Sequence, residues 1–156
     1  MLTNLPTVLR QANLLSLTQE QAIVEHLQAS GDSTPEALIA HGLFNADNLA
    51  EHTAHIFGLP LISLADYDYE PLCEQLGLRE LITQHQVIPI AKSASTLTLA
   101  SADPTELQAE DDFRFATGLQ IELVVANYRT LEGAIRRLYG KVITNGDSNR
   151  KEITQD

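Results

Sequence analysis

Two hydrophobic rhythms divide the chain. Over residues 4–57 the apolar positions recur at helical spacing: Leu5, Val8 and Leu9, then Ile23 and Leu27, then Ala37, Leu38 and Ile39, then Leu49, Ile56 and Phe57. Such spacing lines one face of a helix and predicts four short ones. Asn4-Leu5-Pro6 and Ser33-Thr34-Pro35-Glu36 open two of them, each a polar cap followed by a proline in the first turn. Asn13 and Gly42 stand where a left-handed residue would close them. Pro35, Leu38, Gly42 and Leu43 each follow Pro6, Leu9, Asn13 and Leu14 by the same 29 positions. Each copy leads into a second helix, with expected caps near Thr18 (Gln21 three residues on) and near Asn45. The pattern is a tandem repeat of a helix pair, and neither pair can bury its stripe alone.

From Val87 the period changes. Val87–Ala91 is a short apolar run whose Pro89 suits an edge strand. Lys92-Ser93-Ala94 is a polar turn, and Ser95–Ser101 alternates with Leu97 and Leu99 on one face. Asp103-Pro104-Thr105-Glu106 reads as a helix start with Asp103 as cap, and Leu107, Phe113 and Phe115 give that helix apolar surface until Gly118. Leu119, Ile121, Leu123 and Val125 restore period two; Asn127 then caps a last helix striped by Leu131, Ala134, Ile135 and Leu138, with Arg136 and Arg137 in its final turn. Between the two regions lie the break Gly58-Leu59-Pro60, a short strand at Leu61–Leu64, an acidic loop from Asp66 to Pro71, and two short helices near Pro71–Leu76 and Leu78–His85. The expected class is α+β: an all-helical subdomain of two repeated helix pairs over 1–60, then a small α/β subdomain over 61–140 with a three-to-four-stranded sheet. Residues 141–156, polar and without apolar periodicity, read as a flexible linker.

Composition narrows the classes. A net charge of −11 argues against nucleic acid and against anionic lipid, both of which are recognised by clustered Lys and Arg. The single cysteine, Cys73, allows no internal disulfide and fits a reducing cytoplasm. No run of about 18 apolar residues is present to span a bilayer, and Met1-Leu2-Thr3-Asn4 lacks the basic-then-apolar order of a signal peptide.

Signatures of chemistry are missing at the level of spacing. A phosphate-cradling loop ends in Gly-Lys-Ser or Gly-Lys-Thr, whereas Gly140-Lys141 is followed by Val142. Asp66, Asp68 and Glu70 open with the rhythm of a calcium loop, but its sixth and twelfth positions fall on Pro71 and Gly77, so these are solvated loop acids. Glu106, Glu110, Asp111 and Asp112 near a helix start favour its dipole. His52 and His55 have no glutamate between them and no nearby cysteine, so no metal is expected.

One stretch carries a resemblance. The order "HQVIPI", "ADPT", "FRFATGLQIELVVA" and "IRRLYG" between Glu80 and Gly140 resembles the N-terminal domain of the assembly ATPases of type II secretion and type IV pilus systems. With the opening "MLTNLPTVLRQANLLS" and the later "FGLPLISLADYD", the likeness runs over residues 1–140 and looks most like the pilus-extension ATPases of the PilB type. It implies a non-catalytic docking or regulatory domain, at the cytoplasmic face of the inner membrane without entering it. Its partners would be inner-membrane assembly or platform proteins, or a PilZ-type regulator. The parent would be hexameric, with ATP and Mg confined to a separate catalytic domain and no cofactor in this part.

The alternative within the same family is a sensor. MshE-type members bind cyclic di-GMP through a tandem motif resembling Arg-Leu-Gly-x-x-Leu with a later glycine. Carried over, the leucines survive as Leu5, Leu9, Leu38 and Leu43, and the later glycine as Gly42 in the second copy only. Asn4 stands at the arginine position, Pro6 and Pro35 at the two motif glycines, and Asn13 at the first later glycine. Proline lacks an amide hydrogen and adds a ring where phosphate must come close. The expectation is therefore adhesion to protein, with Asp66, Asp68 and Glu70 as candidate contacts.

Overall fold

A computed structural model describes residues 4–140; the predicted linker at 141–156 lies outside the described residues. Four helices come first: α1 (Leu5–Gln11), α2 (Leu17–Ser30), α3 (Thr34–Ala40) and α4 (Ala46–Phe57). The repeat extends from sequence into hydrogen bonds. Asn4 caps α1 by accepting from the Thr7 amide, and Ser33 caps α3 by accepting from the Glu36 amide. At the other ends the Asn13 and Leu14 amides donate to Arg10 and Leu9, as those of Gly42 and Leu43 donate to Ile39 and Leu38. Asn13 and Gly42 close these turns at φ 66° and 74°, the left-handed region that favours asparagine or glycine. The second helices match as well: Ser16 with Gln19 and Asn45 with Asn48 form reciprocal capping boxes. Thr18 is therefore not the cap of α2; Ser16 wins because its partner Gln19 reaches back to the Ser16 amide. Leu5, Leu9, Leu15, Ile23, Ala37, Leu38, Phe44 and Leu49 form the shared core of the four helices.

A three-stranded sheet organises the rest. A 3₁₀ turn (Leu64–Asp66), α5 (Tyr69–Leu76) and α6 (Arg79–His85) precede β1 (Ile88–Lys92) and β2 (Thr96–Ser101); α7 (Leu107–Thr117) crosses to β3 (Gln120–Val125), and α8 (Tyr128–Tyr139) ends the described chain. The sheet order is β1-β2-β3, antiparallel then parallel. Pro89 does sit on an edge strand, beside an irregularity in the β1–β2 register. The strand expected at Leu61–Leu64 is reduced to one bridge from Leu61 to Val125, since the chain turns into the 3₁₀ helix at once. Leu97, Leu99, Ile88, Ala109, Phe113, Leu131, Ala134 and Ile135 make the core around the sheet.

Two further expectations fail around α7. Asp103 caps no helix: its Oδ1 accepts from the Thr105 amide and hydroxyl, forming a tight turn, and α7 begins only at Leu107. Phe115 and Leu107 are exposed, not core. Residues advance 100° each around a helix, so with Phe113 fully buried Phe115 lies about 200° away, facing out.

The two cores meet where α4 crosses the end of β3, through Ala50, Ala54, Leu59 and Val125. A polar seam lies beside this contact. Arg129 donates to Glu36 at 2.7 Å, and the Asn127 side-chain amide donates to Asp47.

Candidate functional site

The opening turns of the two repeats face each other across α2. Asn4, Pro6, Val24, Leu27, Gln28 and Thr34 line an apolar hollow of about 230 Å³. That is below the roughly 300–1,000 Å³ of ordinary ligand pockets. Pro6 and Pro35 are both buried in their first turns. Leu5, Leu9 and Leu38 are wholly buried in the helical core, and Leu43 is packed against it, so these four hold helices together. Gly42 is exposed at the end of α3.

Charge at this hollow is unsuited to a phosphate. The helical repeat has one Lys or Arg, Arg10, and six Asp or Glu through residue 60. Arg10 is ion-paired to Glu20, which also accepts from Thr7 Oγ1 at 2.7 Å. Those bonds, Thr7 first, hold the Glu20 carboxyl below its ordinary value and lock α1 to α2.

A larger cleft of about 930 Å³ separates the repeats from the sheet. Asp32 to Glu36 from the α2–α3 junction form one wall, and His85, Ser101, Asp103 and Arg129 lie on the other. It opens at the end of β2 and the start of α8, a usual place for a ligand in a parallel α/β arrangement. Its dominant feature is His85, whose side chain is only 2 % exposed. Nδ1 lies 2.8 Å from Glu106 and Nε2 2.9 Å from Asp112, so both ring nitrogens face carboxylates. Burial pulls the His85 pKa down, but the bonds to Asp112 and Glu106 and their charges outweigh it and raise it overall. Asp103, beside it, is raised by burial against its bonds from Thr105. The cleft is thus an acid-lined junction whose histidine is committed to holding α6 against α7.

Sequence reasoning missed this cluster, because its members are 21 and 27 residues apart and no local motif joins them. It also missed His26, whose Nδ1 and Nε2 lie 3.0 Å from His41 and 2.7 Å from Asp32. His52 packs edge-on against Phe44 instead of pairing with His55. No group of three or more His, Cys, Asp or Glu among the described residues is placed to hold a metal. Cys73 is buried and its thiol is pushed up to about 11, first by burial and then by Glu70. Asp66, Asp68 and Glu70 are all exposed, on a separate surface with half-exposed Leu61 and Tyr67 nearby in sequence. No described helix is long and apolar enough to cross a membrane.

Comparison with known proteins agrees with this architecture. Residues 57–144 match the MshEN domain family. The type IV pilus assembly ATPase PilB of Myxococcus xanthus is 33 % identical over 134 residues, which is 86 % of this chain and 24 % of that protein. The type II secretion system protein E of Xanthomonas campestris is 34 % identical over 120 residues, 74 % of this chain and 21 % of that protein. The chain thus spans about a quarter of the length of the curated relatives it matches. Among solved structures, MshE with cyclic di-GMP superposes with a TM-score of 0.63 at 21 % identity, covering 86 % of this chain and 97 % of that one. The N-terminal domain of XpsE gives 0.58 at 28 % identity, covering 84 % and 91 %. The two repeated helix pairs, the small mixed sheet and these matches together place the chain in the MshEN domain family, as an N-terminal domain of the ATPases of type IV pilus assembly and type II secretion.

Proposed function

We propose that this domain is a docking module of a pilus-extension ATPase, joining a hexameric motor to inner-membrane platform proteins or to a PilZ-type regulator on the cytoplasmic side. The observation that carries the reading is the pair of buried prolines, Pro6 and Pro35, at the turns where a nucleotide-binding relative needs amide donors and room. A cyclic dinucleotide brings two phosphates, and the only cation of the repeats is already paired with Glu20. The surface that remains is acidic and suited to a basic protein face. ATP and Mg belong on this reading to a catalytic domain elsewhere in the parent.

The sensor reading is supported by the likeness to MshE, which at 21 % identity speaks to the fold. Isothermal calorimetry separates the two. Titrating the purified chain with cyclic di-GMP up to millimolar concentration is expected to give no binding heat. Saturable heat that disappears on altering the lining of the small hollow beside Pro6, or of the larger cleft beside Pro35, would overturn the docking assignment in favour of sensing.

A further inference from the structure

The most exposed large apolar side chain among the described residues is Phe115, at 93 %. It shares the outward face of α7 with Leu107, 54 % exposed, eight residues earlier, and with Asp111 between them. At 1.5 Å per residue the two anchors stand about 12 Å apart on one side of the helix. Eight residues make about 2.2 turns, so the two side chains diverge by about 80° on the outward half of the helix. Apolar anchors sharing one side are how a helix fills a groove on a partner.

This exposure is fixed by the fold. Phe113 is fully buried and Ala109 nearly so on the opposite face. Asp112 is tied to His85, and Gln108 donates to Asp112 at 2.7 Å. Rotating α7 to hide Phe115 would pull Phe113 from the core and break the His85 contacts. The helix is therefore presented rigidly, which lowers the ordering cost of binding.

Charge selects the occupant. Glu106, Glu110, Asp111 and Asp112 lie on α7 and its start; His85 engages Glu106 and Asp112, and Arg114 engages Asp111 at 3.0 Å and Glu110 at 3.6 Å, four acids against two basic side chains. Residues 4–140 hold seven Lys or Arg and eighteen Asp or Glu, so the whole net charge of −11 lies on the described part. A second copy of this chain, or an anionic bilayer, would meet it with the same sign. We propose that the outward face of α7 docks a partner protein whose apolar groove, rimmed by Lys or Arg, receives Phe115 and Leu107. This rests on the docking function above and assigns it a surface other than the Asp66–Glu70 loop.

The test is photocrosslinking in the native cell, with benzoyl-phenylalanine placed in the full-length protein at Phe115, at Leu107, and for comparison at Leu61 and Tyr67. Crosslinked peptides are identified by mass spectrometry, and the captured protein is purified and titrated against the chain. The expected result is one protein captured from both α7 positions through a segment bearing Lys or Arg. Its affinity should fall about 30-fold with Phe115→Ala, the size of a single hot-spot residue, and fall again with added salt. The thermal midpoint of Phe115→Ala should be unchanged, separating lost contact from lost folding. Capture from Leu61 and Tyr67 alone, or capture from α7 of a second copy or of lipid only, refutes the stripe while docking stands. No protein captured from any of the four positions overturns docking itself.

Discussion

Replacing His85 with glutamine probes the contact that fixes α7. The native ring gives a hydrogen to Glu106 at 2.8 Å and to Asp112 at 2.9 Å, and only the imidazolium has two to give. Its pKa is raised despite burial, because the bonds to Asp112 and Glu106 outweigh desolvation. A raised folded-state value means the stabilisation is complete below the unfolded value of about 6.5 and is lost as pH climbs through the folded one. Asp112 is lowered, by Gln108 and then His85, so its share is present above the unfolded value of about 4 and lost as pH falls. The clamp is therefore tightest between about pH 4 and 6.5.

Hydrogen bonds to charged groups contribute about 1.5–3 kcal/mol each. Glu106 and Asp112 remain 44 % and 31 % exposed, so solvent screening reduces the total. Glutamine can satisfy one partner in part. The expected cost of His85→Gln at pH 6 is about 2 kcal/mol, or roughly 6 °C in thermal midpoint for a domain of this size. Urea unfolding of both proteins followed by circular dichroism at pH 6 and pH 9 measures it. The gap should shrink to about half at pH 9, where the native imidazole keeps a single donor. An equal gap at both values, or a wider one at pH 9, would refute the charged clamp.

The two phenylalanines of α7 should separate sharply. Phe113→Ala empties a fully buried position and is expected to cost about 3–5 kcal/mol in denaturant unfolding, whereas Phe115→Ala should stay within about 0.5 kcal/mol. At the start of α2, Ser16→Ala removes half of the capping box and should cost about 1 kcal/mol, while Thr18→Ala, exposed inside the helix, should be neutral or slightly stabilising by the same measurement.

Much of this protein was legible without coordinates. The 29-residue repeat, its left-handed Asn13 and Gly42, the Pro89 edge strand and the last helix capped by Asn127 all rest on interactions within a few residues, which local sequence determines. Two outcomes that differ from the sequence expectation are local as well: Ser16, not Thr18, caps α2 through Gln19 three residues on, and Asp103 closes a turn through Thr105 two residues on. Tertiary structure decides elsewhere. Phe113 and Phe115 look alike in the sequence, and only the sheet beneath α7 decides which one is buried. The His85 cluster was beyond sequence reading altogether, because its three members come from the end of α6, the turn after Asp103 and the middle of α7. What packs against what across such distances is a property of the assembled core, and no short stretch of the chain contains it.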